Sequence, residues 1–515
     1  MELSTLILII ITTCICLYYF ILSKLSHFKR LKIPHVRPTP LLGHLAPFIF
    51  RRLSLEENVR KIYNIFPDVK YFGFYEFMTP VYVIRDPELI TTIAIKNFDS
   101  FCDHRDLFNK ETEPLISRNL FSINGDHWRE MRKLLSPTFT SGKIKIMFKL
   151  ICKCADNFAN FLANDSGNIG KTYDMKNVLS RYANDVVATC AFGISVDSFK
   201  HPNNDFLLLA KEAANFTSNP IKLLVNKNFP LLGRLLGLKI FSSKMKSFFK
   251  EIIADTVKTR DEQKIIRPDM IHLMMEKRDN DHGLTMDIDE MTAQAFVFLV
   301  AGFDSTSSAM CFLTHEVGIN FDVQNKLRAE IDDILAQTNG KPTYEAISQM
   351  KYLDAVINET LRLYPMGAFL DRMCVKEFEL PPATPDGKPI TLKPGDSIWF
   401  PHYALHRDPK YYSQPDKFDP DRFLNGEVDN SVYMPFGIGP RMCIANRFAL
   451  IKLKIMLFYL LWRCDLEPDT KTSIPMVLSK KSFLMNPEGG FWLKLRARKS
   501  EAAIPFLSNE SVCED

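Results

Sequence analysis

Long stretches of this chain lack residues that globular sequences usually spread evenly. From Leu3 to Ser23 there is no charged residue, and from Ala213 to Lys250 there is no acidic one. The body has no linker at which its 515 residues could be cut, although that length alone would suggest about three domains. No internal repeat appears, which argues against a solenoid. The net charge is only +5 and is scattered, which argues against nucleic acid as a partner. The 11 cysteines include no zinc-like Cys-x-x-Cys pair. Their number is odd and the chain is too long to need stapling, so a reducing compartment is expected.

The uncharged run at the start can cross a hydrocarbon core of about 30 Å as a helix. It is longer than the apolar core of a signal peptide, about 7–15 residues. Glu2 is acidic where such a peptide would be basic. Lys24, His27, Lys29, Arg30 and Lys32 follow at once, so the positive-inside bias predicts a lumenal N-terminus and a cytosolic body. Pro34, Pro38, Pro40 and Gly43 then suit a stiffened hinge. The expected plan is an anchor over 1–23, a hinge over 24–45, one domain over 46–499 and a flexible tail over 500–515. Within the domain, pattern predicts a helix over 54–66 and a β-hairpin over 69–84, broken by Gly73 and Pro80. Asp86-Pro87 opens another helix. Further strands are expected near 390–400 and in a hairpin around Gly489-Gly490. The acid-free stretch 213–250 interleaves lysines with leucines, a composition suited to a membrane interface.

Chemistry concentrates in four places. The stretch Tyr433–Ala449 reads YMPFGIGPRMCIANRFA. Gly437 and Gly439 suit a tight loop that can fold over a small atom. A helix is expected from Ile444 to about Cys464, with Ala445 in its first turn. Its N–H groups would favour a thiolate at Cys443. Arg441 adds a positive charge there, and Phe436 adds an apolar wall. Asp287 to Glu316 predicts a long buried helix with a capping-box-like start at Asp287 and Glu290. A polar patch, Asp304, Ser305 and Thr306, interrupts it, and a carboxylate buried in an apolar helix is costly. Gly302 weakens that helix by about 1 kcal/mol and admits a close neighbour. Trp128 and Arg132, four apart, share a helical face, as do Glu359 and Arg362 at a spacing of three.

Phe436, Gly439, Arg441, Cys443 and Ala445 together resemble the haem-ligand signature of the cytochrome P-450 family, Phe-x-x-Gly-x-Arg-x-Cys-x-Gly, with Ala445 in place of the last glycine. Ala301, Gly302, Asp304 and Thr306 resemble its oxygen-activation motif, with Ser305 where a threonine follows the acid. Trp128-x-x-x-Arg132 and Glu359-x-x-Arg362 with Arg422 follow the family's order. The resemblance therefore spans nearly the whole chain and is strongest to animal microsomal enzymes, particularly the insect detoxification branch. It implies a mostly α fold with a small β region, a single catalytic domain and haem b.

In that reading Cys443 is the axial thiolate and metal ligand, and Phe436 and Gly437 complete its loop. Trp128, Arg132, Arg372 and Arg441 hold the propionates, with His104 or Arg105 as a further contact. Ser305 hydrogen-bonds bound oxygen, Asp304 links it to a proton supply, and Thr306 is the lesser partner. Glu359, Arg362 and Arg422 form a structural ion network. Met366–Leu370, Phe298, Phe303 and residues 483–485 are expected at the substrate cavity. The implied reaction inserts one oxygen atom into a lipophilic molecule at the endoplasmic reticulum membrane. Electrons would come from NADPH through NADPH–cytochrome P-450 reductase, with cytochrome b5 as a second candidate donor. Arg129, Lys133, Lys143, Lys145, Lys452 and Lys454 are the candidate docking patch. Two other readings stay open: a haem-thiolate isomerase or dehydratase, and a non-catalytic haem-binding membrane protein.

Overall fold

The apolar run 288–319 lies inside the domain, although it is long enough to cross a membrane. It forms a helix at Ile288–Val300, a widened turn at Ala301–Ser305 and a second helix at Thr306–Ile319. Asp287 caps its start by accepting from the Glu290 N–H at 2.7 Å. Only half of the expected capping box forms, because the Glu290 carboxylate turns toward His127 at 3.6 Å. The computed structural model describes residues 3–106, 113–215, 222, 225, 230–267, 269–279, 286–426, 428–429, 431–482 and 484–498. Phe483, the tail 499–515 and much of 216–229 lie outside them.

Helices Ser141–Ser166, Phe321–Gln337, Lys351–Leu363 and Asn446–Arg463 bury their apolar faces together with Thr306–Ile319 in one core. A second core lies under a four-stranded sheet in the order Tyr71–Glu76, Thr79–Ile84, Ser397–Phe400, Leu370–Met373. The first two strands form the expected hairpin, and the second pairs parallel to the third. The helix at Leu55–Ile65 has a full capping box from Ser54 and Glu57. The chain after Gly490 does not fold back on its neighbour as a simple hairpin. Trp492–Ala497 instead pairs antiparallel with Lys171–Asp174 and Cys464–Glu467. That register satisfies both of its edges, which a local hairpin would not.

The basic, proline-containing stretch is built into the domain. Phe28 is fully buried beneath the sheet. Its ring fills the space where a Cβ on Gly73 would lie, 2.4 Å away. Gly73 thus continues the strand instead of breaking it, and its N–H donates to Pro34 O at 2.8 Å. Before this stretch, the helix Leu3–Leu25 is apolar and mostly exposed, with Ile21 and Leu25 buried near its end. Farther on, Leu231, Leu235 and Leu236 are exposed. Phe241, Met245 and Phe249 turn inward, and Lys246 and Lys250 pair with Glu113 and Asp289.

Candidate active site

Cys443 lies just before the helix Asn446–Arg463, and its side chain is exposed. Ala445 occupies the N-cap position with φ −100°, ψ 20°, one step earlier than expected. Although solvent reaches the sulfur, the protein packed around it desolvates a thiolate and pushes the thiol pKa up, while the Ala445 N–H and the Arg132 charge pull it back. The loop is shaped by Gly439, whose φ is +71°. A Cβ there would lie 2.2 Å from Ala94 O. Gly437 also has a positive φ, +84°, which permits the preceding bend. Phe436 is half-buried against the helical core, and its carbonyl accepts from the Cys443 N–H at 2.8 Å.

Three arginines converge near this loop. Arg441 stacks on Trp128, with 3.9 Å from guanidinium to ring centroid. It donates to the carbonyls of Cys102 at 2.7 Å and Ile123 at 3.2 Å. Arg372 donates to Asp371 O and Ile438 O, and its buried Nε has no partner among the described residues. Arg132 donates to Met442 O at 2.9 Å. Among the described residues, Arg132 and Arg372 have no ion pair, and Arg441 meets only Asp103, at 3.6 Å. Burial pulls Arg372 down to about 10 and Arg441 to about 9, and it lowers Arg132 as well. Buried cations short of counter-ions are costly. The cluster therefore suits an anionic group beside an exposed thiol. His104 and Arg105 are otherwise engaged. Both contact Asp371, and Arg105 also pairs with Glu76. With these partners, the carboxyl of Asp371 is held well below its ordinary range even though burial acts in the opposite direction.

At the widened turn, Ala301 is exposed and Ser305 half-exposed, whereas Phe303 and Thr306 are buried. The Ser305 and Thr306 hydroxyls donate to the carbonyls of Ala301 and Gly302. Gly302 admits Val187, whose methyl would lie 3.1 Å from an added Cβ. Asp304 pairs with Lys176 at 2.8 Å, and that ammonium also donates to Ser307 and Ser308. Nothing near Lys176 in the sequence resembles a motif, so only the folded chain reveals it.

A scan against family models matches cytochrome P450 over residues 34–493. The chain belongs to the cytochrome P450 family. It is 43% identical to cytochrome P450 9e2 of Blattella germanica, over 95% of this chain and 97% of that one. It is 37% identical to a probable cytochrome P450 9f2 of Drosophila melanogaster, over 92% and 95%. Cytochrome P450 6j1 of Blattella germanica is 34% identical, over 95% and 97%. The chain is accordingly a haem-thiolate monooxygenase of the insect type. P450 proteins bind haem through a cysteine thiolate. The residues present fit that group: an exposed thiol, a glycine-bent loop, and arginines short of carboxylates where a dianion is required.

Several expectations need correction. Lys452 is fully buried and Lys454 is 5% exposed, so neither belongs to a docking patch. Lys454 pairs with Asp354 at 2.8 Å. Arg129, Lys133, Lys143 and Lys145 keep some exposure, with Arg129 and Lys145 engaged by Asp99 and Glu345. Phe303 and Met485 are core residues. Phe298, by contrast, is only half-buried, with its ring tilted against Phe139 at 5.2 Å, which leaves the cavity expectation for it standing. Phe369 stacks on Trp399 at 3.5 Å.

Proposed function

We propose that Cys443 is the axial haem ligand and that this chain oxygenates a lipophilic small molecule at the endoplasmic reticulum membrane. The observation that carries the reading is the exposed Cys443 thiol beside a cluster of arginines short of counter-ions: among the described residues Arg132 and Arg372 have no ion pair, and Arg441 meets only Asp103, at 3.6 Å. Arg132, Arg372, Arg441 and Trp128 would hold the propionates, and Phe436 and Gly437 would shape the loop beneath. When bound, haem with an axial thiolate supplies an electron-rich iron at which dioxygen is activated. The chain's own contribution is to hold and pass protons. Ser305 presents a hydroxyl on the open face of the core helix. Asp304 and Lys176, the latter 30% exposed, link that turn toward solvent. Thr306 is the lesser candidate.

NADPH–cytochrome P-450 reductase, with cytochrome b5 as a second donor, would deliver electrons. Exposed Lys133, half-exposed Lys143 and the neighbouring Arg447 offer a basic docking rim. The exposed leucines at 231, 235 and 236 and the helix Leu3–Leu25 support a membrane-resting domain with its N-terminus in the lumen. The retained acid–alcohol turn favours oxygenation over isomerisation or a non-catalytic role.

The test is spectral. The reduced protein under carbon monoxide is expected to give a thiolate-type Soret band that Cys443→Ser abolishes. A band that survives this change would remove Cys443 as the ligand.

A further inference from the structure

On the closed side of the Ala301–Ser305 turn stands a lysine that the reaction does not obviously need. Lys452 belongs to the helix Asn446–Arg463 that follows Cys443, and its side chain is fully buried. Its Nζ donates to Gly302 O at 3.0 Å, to Thr306 Oγ1 at 3.0 Å and to Ala183 O at 3.3 Å. An ammonium has three N–H bonds, and these three acceptors use all of them. Among the described residues Lys452 has no ion pair. The titratable groups facing it are the thiols of Cys154 and Cys190, and burial holds both well above the ordinary thiol range. Burial pulls Lys452 itself down to about 7. A methionine would fill the same volume without the cost of burying a cation.

The local backbone gives a reason for the lysine. In an α-helix the Thr306 N–H would bond to Gly302 O. Here the helix is widened over Ala301–Ser305, the Thr306 N–H closes a short bond to Phe303 O just after it, and Gly302 O accepts from the Thr306 hydroxyl and from Lys452. Lys452 thus gives this carbonyl a second donor beside the Thr306 hydroxyl, in place of the α-helical N–H it lacks. Ala183 extends the same contact to the helix Met175–Val187, the element that carries Lys176.

We propose that Lys452 is a positioning residue: its ammonium holds the Gly302–Thr306 turn in the widened form and thereby fixes where the Ser305 hydroxyl stands. The proposal rests on the reading of Ser305 given above. It ties the helix after the cysteine directly to the turn that carries Ser305, so that the two elements share one strut.

The test uses the full-length protein with Lys452→Met, which keeps length but no donor, and Lys452→Gln, which keeps a donor. Amide hydrogen exchange across Phe303–Ser307 is expected to quicken by about tenfold in Lys452→Met and less in Lys452→Gln. With a microsomal reductase, peroxide released per NADPH should rise severalfold in Lys452→Met and be partly restored in Lys452→Gln. Exchange and peroxide release both unchanged in Lys452→Met would overturn the proposal. Should Lys452→Met not fold, Thr306→Val removes one of its acceptors while preserving shape. Faster exchange in that variant supports the strut, and unchanged exchange overturns it. The exchange readout needs no haem band, so a wild type lacking the thiolate-type band would refute the ligand reading alone.

Discussion

Ser305 and Thr306 are adjacent in sequence, yet their surroundings differ. Thr306 is buried, and its hydroxyl receives an N–H from Lys452. Ser305 is half-exposed on the face that also carries Ala301. A consecutive residue lies about 100° further round a helix, so both cannot address the same partner. Peroxide released per NADPH is therefore expected to rise more in Ser305→Ala than in Thr306→Ala. The reverse order would reject Ser305 as the working hydroxyl. Neither residue could be given these surroundings from the motif alone, because the partner that claims Thr306 lies 146 residues away.

The elements around the cysteine depend on close backbone approach. Gly439 combines a positive φ with contact to the carbonyl of Ala94. An L side chain in that conformation costs about 1–3 kcal/mol before any clash. Gly439→Ala is thus expected to lower the thermal midpoint and the yield of haem-loaded protein. Gly142 lies at the start of the helix Ser141–Ser166 with nothing within 4 Å of an added Cβ. Gly142→Ala should be neutral or stabilising by up to about 1 kcal/mol. Equal losses in the two variants would show that the Gly439–Ala94 contact has no special weight. The glycine spacing was legible in the sequence as a tight loop. That its neighbour would be the widened turn Thr92–Lys96 was not, because nothing local links residues so far apart.

At the scale of the whole molecule, buried ionisable groups tie the layers together. Glu359 accepts from Arg362 at 2.7 and 2.8 Å and from Arg422 at 3.2 Å, and all three are buried. The helix Lys351–Leu363 and the segment Asp421–Leu424 are joined through them. His44 performs a similar task between the proline-containing stretch and the sheet. Its Nε2 donates to Val36 O at 2.8 Å, and its Nδ1 accepts from the Tyr75 N–H at 2.9 Å. That pair of bonds requires the neutral ring, and burial holds its pKa down to about 4. In the unfolded chain the ring titrates near about 6.5. Between these values the unfolded state takes up a proton that the folded state refuses, so the stabilisation is complete above about 6.5 and lost as pH falls toward about 4. Denaturant midpoints should therefore favour wild type over His44→Gln most at pH 7, with the gap narrowing by pH 5. A constant gap would mean that His44 is not held neutral by the fold.

Composition and local pattern were sufficient for whatever depends on neighbours along the chain. They determined the uncharged N-terminal helix, the hairpin, the capped helices, the family signature around Cys443 and the Glu359–Arg362 pair. Spacing of a few residues fixes which side chains share a face, and that information is local. Tertiary structure alone decided which charges are buried. Lys452 and Lys454 read as surface lysines and are interior, the stretch 24–45 reads as a hinge and supplies Phe28 to the core, and Asp304 finds Lys176 on another helix. These outcomes depend on desolvation and on contacts between distant segments, quantities that exist only once the helices have packed.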